Sequence, residues 1–299
     1  MVPADVLLID GSSLLVRAYF ATLYGGRPRR AADGRYTNGV MGFLHMFTHA
    51  LERVRPRYVA IAWDTTRDTF RRDLYPAYKA QRGELPEALL EQFETTQRVL
   101  GALGVAQHAD HRYEADDILG TLALRCQEEG WDSLVLTGDR DALQLVADGV
   151  KVCILRRGVA ETEVYTPATL LETWGLTPSQ IVDLKALMGD ASDNIPGVPG
   201  VGEKTAKKLL AEHGTLEGVL ANAEALPVRL RDRIVAHRET ALLSKRLATI
   251  VTDVPLPFDL ADCLLRVHLG DALEALRALD LERAAERLAR AATAASAAG

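Results

Sequence analysis

The chain has 299 residues, 48% of them apolar and 25% charged, as in a water-soluble globular protein built from one large domain or two smaller ones. No run of about 18 apolar residues occurs, and the opening "MVPADVLLIDG" carries Asp5 and Asp10 where a leader would be basic, which argues against a membrane span or secretion and for a cytoplasmic protein. The net charge of −6 speaks against a nucleic-acid partner only as an average: if nine of the 41 carboxylates held cations, the 35 Lys and Arg would outnumber the rest.

The predicted elements begin with "VLLID", an apolar run short enough for a buried strand, punctuated by Asp10-Gly11. A helical pattern over 38–54 follows, then a second strand, "YVAIAWD", ending at Asp64. Between it and a helical pattern over 86–103 lies "TRDTFRRDLYPAYKAQRGELPE". There Arg67, Arg71, Arg72, Lys79 and Arg82 are interleaved with Phe70, Tyr75 and Tyr78. Cations beside aromatics suit single-stranded nucleic acid, whose bases stack while its phosphates pair; a solvated loop is the plain alternative. A helical pattern over 114–130 opens with "YEADD", and a third strand, "SLVLTGDRD", leads to Asp139 and Asp141. Strands alternating with helices predict an α/β fold with a mostly parallel central sheet flanked by helices.

From about residue 178 the texture changes to short helical patterns separated by Gly, Pro and Asn, with "ATIVTD" the one further strand candidate. The Ala-rich end, "ERLARAATAASAAG", reads as a helix fraying into a disordered tail. Cys126, Cys153 and Cys263 lack zinc-ligand or CxxC spacing and read as reduced structural thiols. His45 and His49 lack a third ligand and read as packing residues, as do Trp63, Trp131 and Trp174. Ser12 and Ser13 have no histidine in a motif to activate them.

"YEADD" places Glu114, Asp116 and Asp117 within four positions, and like charges so close are costly without a counterion. Positions 114 and 117 share a helix face, with 116 on the adjacent one. Ligands of parallel sheets bind beyond the carboxyl ends of the strands, where Asp10, Asp64 and Asp139 stand. Carboxylates meeting there call for hard divalent cations with oxygen ligands. Solvated acids at a helix N-terminus are the alternative for "YEADD" alone. A second acidic group, "GDASDN", supplies Asp190 and Asp193. It runs into "NIPGVPGVGEKTAKKLL", a Gly/Pro hairpin entering a helix with Lys204, Lys207 and Lys208 in its first turns. Cations are out of place there as dipole complements and make sense if an anion docks on the free N–H groups.

Together "LLIDGSS", "FR…YPAYKAQR", "YEADDILG", "LTGDRDALQL" and "GDASDNIPGVPGVGEKTA" resemble the bacterial and phage 5′ nuclease family, allied to the flap endonucleases, over residues 5–260. The resemblance implies a PIN/resolvase-like core over 1–173, with an arch or clamp at about 66–90. A helical helix–hairpin–helix module over 174–262 and a C-terminal helix and tail over 263–299 would follow. It implies an inner metal site of Asp10, Asp64, Glu114, Asp116 and Asp139 and an outer one of Asp117, Asp141, Asp190 and Asp193. Two Mg²⁺ or Mn²⁺ ions would serve there, with K⁺ at the hairpin. By resemblance Lys79 and Arg17 act at the scissile phosphate beside Asp116 and Asp139. Arg71, Tyr78, Lys79, Arg82, Gly197, Gly200, Gly202, Lys204, Thr205, Lys207 and Lys208 would contact DNA, and nothing carries over to Gln81. The expected enzyme is a monomeric, free-standing 5′→3′ exonuclease and flap endonuclease of replication and repair. It would act on DNA with a 5′ flap or free 5′ end, and on RNA–DNA in primer removal. An RNase H-like nuclease, a non-catalytic DNA-structure binder and a small-substrate phosphatase are the alternatives; the nine acids argue against the second, and the hairpin and basic insert against the third.

Overall fold

The computed structural model describes residues 1–65, 68–157 and 161–296. Arg67 of the basic insert lies outside the described residues. The chain opens with β1 (Val6–Asp10), α1 (Gly11–Ala21), α2 (Asn38–Val54), β2 (Tyr58–Asp64), the short α3 (Phe70–Leu74) and α4 (Glu87–Leu103). Then come β3 (Ala106–Asp110), α5 (Ala115–Glu128), β4 (Ser133–Thr137), β5 (Val150–Arg157) and β6 (Glu161–Tyr165). The six strands form one sheet in the order β3-β2-β1-β4-β5-β6, parallel except for β6. The strand order reverses at β1, so the chain leaves β1 and β4 toward opposite faces and a crevice opens between their ends. Asp10 ends β1, and Asp139 stands two residues beyond β4.

Period-two alternation sorts the core. Leu7 and Ile9 pack on one face with α1, α2 and α4, while Val6 and Leu8 pack on the other with α5. Helices α6 (Pro167–Trp174), α7 (Pro178–Met188), α8 (Glu203–His213), α9 (Leu216–Ala221), α10 (Val228–Ala236) and α11 (Arg238–Ala248) follow. The apolar cluster containing Val6 and Leu8 runs on through Ile181, Leu187, Leu209, Val219 and Ile234, so the helical part and one sheet face share a core.

Several expectations need correction. "ATIVTD" forms no strand; its Val251 N–H donates instead to Asp117 Oδ1 at 2.8 Å. The half-polar β3 and the β5–β6 hairpin were not anticipated. The Ala-rich end is helical through Ser296, as its pattern predicts. After α12 (Leu269–Arg277), α13 (Glu282–Ser296) buries Leu288 and Ala291 in the cluster that holds α2. Residues 297–299 lie outside the described part. Within the basic insert, residues 77–81 dock on the 190–195 loop: Lys79 N–H donates to Asp193 O (2.9 Å), Asn194 Nδ2 to Ala77 O (2.7 Å) and Gln81 Nε2 to Ala191 O (2.7 Å). The three cysteines are buried free thiols. Among the described residues no helix is long and apolar enough to cross a membrane.

Candidate active site

The switch-point crevice is a cavity of about 520 Å³ lined by Asp10, Asp64, Glu114, Asp116, Asp139 and Asp141, with Arg17, Lys79 and Arg82 on its walls. Each acid is aimed by local structure. Asp10 caps α1, accepting from the Ser13 N–H (2.9 Å), and its other oxygen accepts from the Thr137 hydroxyl (2.8 Å). Thr137 Oγ1 in turn accepts the Asp139 N–H (3.0 Å), tying two of the carboxylates together. Asp64 accepts the Ala115 N–H at the start of α5 (2.9 Å), and its own N–H donates to Ser12 Oγ (2.8 Å). Asp139 caps the 3-10 turn 140–145, accepting from the Asp141 N–H (2.9 Å). Ser12, the Ser13 backbone and Thr137 thus position carboxylates, a role the sequence reading missed.

The crowding is electrostatically strained. Burial, then Asp64 nearby, pushes Asp10 up to about 7. Burial and Asp139 likewise hold Asp141 at about 7 against the pull of Lys185. Asp116 is raised well above the carboxylate range by burial and then by Asp117, and its Oδ1 is buried with no hydrogen-bond partner. An orphaned carboxylate oxygen among acids held back from ionising fits a site for hard cations. Among the described residues, however, no three His, Cys, Asp or Glu side chains close on one point as a finished ion cage.

A neighbouring cavity of about 510 Å³ shares Ser13, Asp139 and Asp141 with the first and adds Asp190. Lys185, on α7, reaches both Asp141 and Asp190. Burial alone raises Asp190, but Lys185 and the Ser192 hydroxyl hold it down at about 2. Sequence reasoning missed Lys185 because a lysine in the last turn of a helix is already explained by the dipole. Asp193 stands behind Lys79: Tyr78 Oη lies 3.4 Å from it, Lys79 Nζ is 3.8 Å away, and Arg82 pairs with it.

Asp117 is the exception among the nine. It is wholly buried, and its oxygens accept from Arg71 Nη1 (2.6 Å), Arg71 Nη2 (2.7 Å), the Glu114 N–H (3.0 Å) and the Val251 N–H (2.8 Å). With both oxygens so engaged it is a structural anion in this structure. Arg71, 1% exposed, is its partner and has no surface to offer DNA. Tyr78, 3% exposed, donates its hydroxyl to Glu114 at 3.1 Å and packs with Val182, Ile195 and Leu247, so it backs Glu114 from the core and is no stacking platform. Lys79 adopts a left-handed φ of 53° and brings Nζ to 2.9 Å from both Glu114 oxygens. Burial works against its charge, and Glu114 and Asp193 more than offset that. Arg17 donates to the Arg156 carbonyl (2.9 Å) at the cavity rim.

The hairpin lies between α7 and α8. Gly197 (φ 60°) cannot carry a side chain, because a Cβ would fall 2.1 Å from the Gly189 nitrogen. Gly200 (φ 76°) offers its carbonyl to Arg233 Nη1 at 3.1 Å, a contact absent from the sequence reading. Gly202 caps α8, where Lys204 is exposed and Thr205 half-buried. Lys207 pairs with Glu203 (2.9 Å) and Lys208 with Glu212 (3.7 Å).

A mostly parallel sheet with acids at its switch point, joined to a helical hairpin module, defines a class of resolvase-like nucleases. The particular family follows from comparison. Residues 5–175 match the 5′-3′ exonuclease N-terminal resolvase-like domain, and residues 176–269 match the 5′-3′ exonuclease C-terminal SAM fold. The chain belongs to the 5′-3′ exonuclease family. It is 44% identical over 273 residues to DNA polymerase I of Streptococcus pneumoniae (strain ATCC BAA-255 / R6), covering 91% of this chain and 31% of that protein. It is 46% identical over 259 residues to DNA polymerase I of Bacillus caldotenax, covering 86% and 29%. The chain therefore spans about a third of the length of these relatives. The same fold occurs in T5 5′-exonuclease with bound zinc (22% identity, 96% and 99% coverage, TM-score 0.64). It also occurs in flap endonuclease-1 of Methanococcus jannaschii (17% identity, 99% and 94% coverage, TM-score 0.65).

Proposed function

We propose that this chain is a divalent-metal-dependent 5′→3′ exonuclease and 5′ flap endonuclease that hydrolyses DNA phosphodiester bonds in replication and repair. The observation that carries the reading is the convergence of six carboxylates, from four separate strand ends and turns, on one cavity where burial and mutual repulsion hold Asp10 and Asp141 near 7. Asp10, Asp64, Glu114, Asp116 and Asp139 would hold one Mg²⁺ or Mn²⁺, and Asp141, Asp190 and Asp193 would serve a second. Bound there, such ions polarise water and the phosphoryl oxygens of an in-line displacement. Metal-bound and DNA-bound forms of T5 relatives agree with this reading.

The protein's own groups do the rest. Lys79 and Arg17 face the cavity and neutralise charge gathering on the phosphoryl oxygens. Arg82 stands beside them to pair with the adjacent phosphate. Residues 1–173 form the reacting core. Residues 174–262 hold duplex through the α8 N-terminus, the Gly197–Gly202 hairpin and Lys204, with K⁺ among the hairpin carbonyls. These contacts reach phosphates only, so the enzyme selects structure rather than sequence. We also assign it to the cytoplasm, as a monomer.

The test is cleavage of a 5′-labelled flap duplex in Mg²⁺, with and without chelator, by the native chain and by Asp116→Ala. Chelator-sensitive release of a short 5′-phosphorylated product by the native chain alone is expected. No cutting in Mg²⁺ or Mn²⁺, or equal cutting by the variant, would overturn the reading.

A further inference from the structure

The geometry points to a second nucleotide-binding site, a groove behind the Arg71–Asp117 pair that takes one nucleotide of the displaced 5′ single strand; this rests on the function proposed above. Helix α3 buries Arg71 and leaves Phe70 and Leu74 half-exposed on its outer side. With Val251 they make the apolar walls of a groove of about 420 Å³, within the range of small-molecule pockets. Arg112, Arg246 and Asp73 stand at its rim. Arg112 is paired with Asp73 (2.8 Å), which leaves the exposed Arg246 with no acidic partner among the described residues. One face of the Phe70 ring is covered by the buried Arg71 guanidinium, 4.7 Å from its centroid, and Tyr113 packs against it at 5.8 Å; the part of the ring that lines the groove stands beside the uncompensated Arg246 guanidinium, the pairing that a base and its phosphate require. A base in duplex has no face to present, so the occupant is single-stranded.

Position supports the same occupant. Thr249 and Val251, which line the groove, hold the buried pair: Arg71 Nη2 donates to Thr249 O (2.9 Å), and the Val251 N–H donates to Asp117. On the pair's other side Arg71 Nη1 is 3.4 Å from Glu114 Oε2, which lines the catalytic cavity. One ion pair thus separates groove from cavity. Helix α11, which carries Arg246, also anchors the hairpin, its Ser244 Oγ accepting the Gly197 N–H at 3.0 Å.

The test uses two substrates, a duplex bearing a single-stranded 5′ arm and a nicked duplex without one, with the native chain, Phe70→Ala and Arg246→Gln. Phe70→Ala is expected to raise KM for the armed substrate about tenfold, the scale of one lost base–aromatic stack, and to leave the nicked substrate unchanged. Arg246→Gln, at an exposed position that does not risk the fold, is expected to raise it several-fold, more so at low salt. Phe70→Trp should restore the native value. In chelator, 4-thiothymidine placed in the arm should crosslink to the 70–74 and 246–251 segments. Equal losses on both substrates, or crosslinks that avoid those segments, would overturn the groove even if both substrates are cut. Crosslinking through the groove by a chain that cuts neither substrate would keep the groove and sink the nuclease reading.

Discussion

The two walls of the catalytic cavity solve the same electrostatic problem differently. On the inner wall, where β1 and β2 end and α5 begins, Asp10 faces Asp64 and Asp116 lines the same cavity beside Glu114, on which the ammonium of Lys79 is spent. Burial and like charge keep Asp10 and Asp116 from ionising readily. On the outer wall the chain supplies its own cations: Lys185 bridges Asp141 and Asp190, and Arg82 holds Asp193. Asp190 is accordingly ionised down to about 2. A buried carboxylate must be met by a proton, a tethered cation or an ion from solution. The inner wall is where a solution cation has most to gain. Asp117 marks a third outcome, a carboxylate whose cation is built permanently into the fold.

The largest effect is expected from breaking that permanent pair. Arg71→Met would strand Asp117 and should cost about 3–5 kcal/mol in urea unfolding, the usual scale for removing one partner of a buried pair. A loss near zero would show that Asp117 is free to serve as a ligand. Asp116→Asn removes one inner-wall charge while keeping its shape, and cleavage of a flap duplex should slow by about a hundred- to a thousandfold, as when one group aimed at developing charge is lost. Stability should hold or rise, because the crowding eases.

A pH series comes next and reads one acid on each wall, because burial and Asp139 keep Asp141 raised despite Lys185. Asp10 and Asp141 sit at about 7 against an ordinary value of 3.8, so between these limits the folded protein holds protons that the unfolded chain has released. Stability without divalent ions should therefore fall as pH rises from about 4 to 7 and level off above. Asp190, lowered to about 2, acts in the opposite sense and only below 3.8, outside that window. Thermal unfolding in chelator across this range checks the slope, and added Mn²⁺ should stabilise more at pH 8 than at pH 5. A stability that climbs from pH 5 to 7 in chelator would contradict the account. The smallest effect is local. Lys185→Gln should move the Asp190 titration, followed by carboxyl NMR, from about 2 into or above the ordinary range, while Asp10 stays put.

How much of this was legible beforehand depended on whether a signal was local. Asp10, Asp64 and Asp139 could be placed because a short apolar run ending in an acid marks a strand end, and strand ends in a parallel sheet share an edge. The helices over 38–54 and 87–103 announced themselves by period and by the glycine or punctuation after them. Asp117 could not be separated from Asp116, since helical spacing fixes which acids share a face and not which face turns toward a buried arginine. Arg71 was misjudged for the same reason: a basic side chain among aromatics looks the same in a groove and in a core. The β5–β6 hairpin and half-polar β3 lacked clean alternation, and α13 hides its burial in small residues that need only a close neighbour in α2.

The central claim is most directly tested by anomalous diffraction from crystals soaked in Mn²⁺. The account predicts manganese peaks in the cavity beside Asp10, Asp64, Glu114 and Asp116, and Lys185 drawn away from Asp141 wherever a second ion binds. Peaks confined to other surfaces, or none at millimolar Mn²⁺, would contradict it.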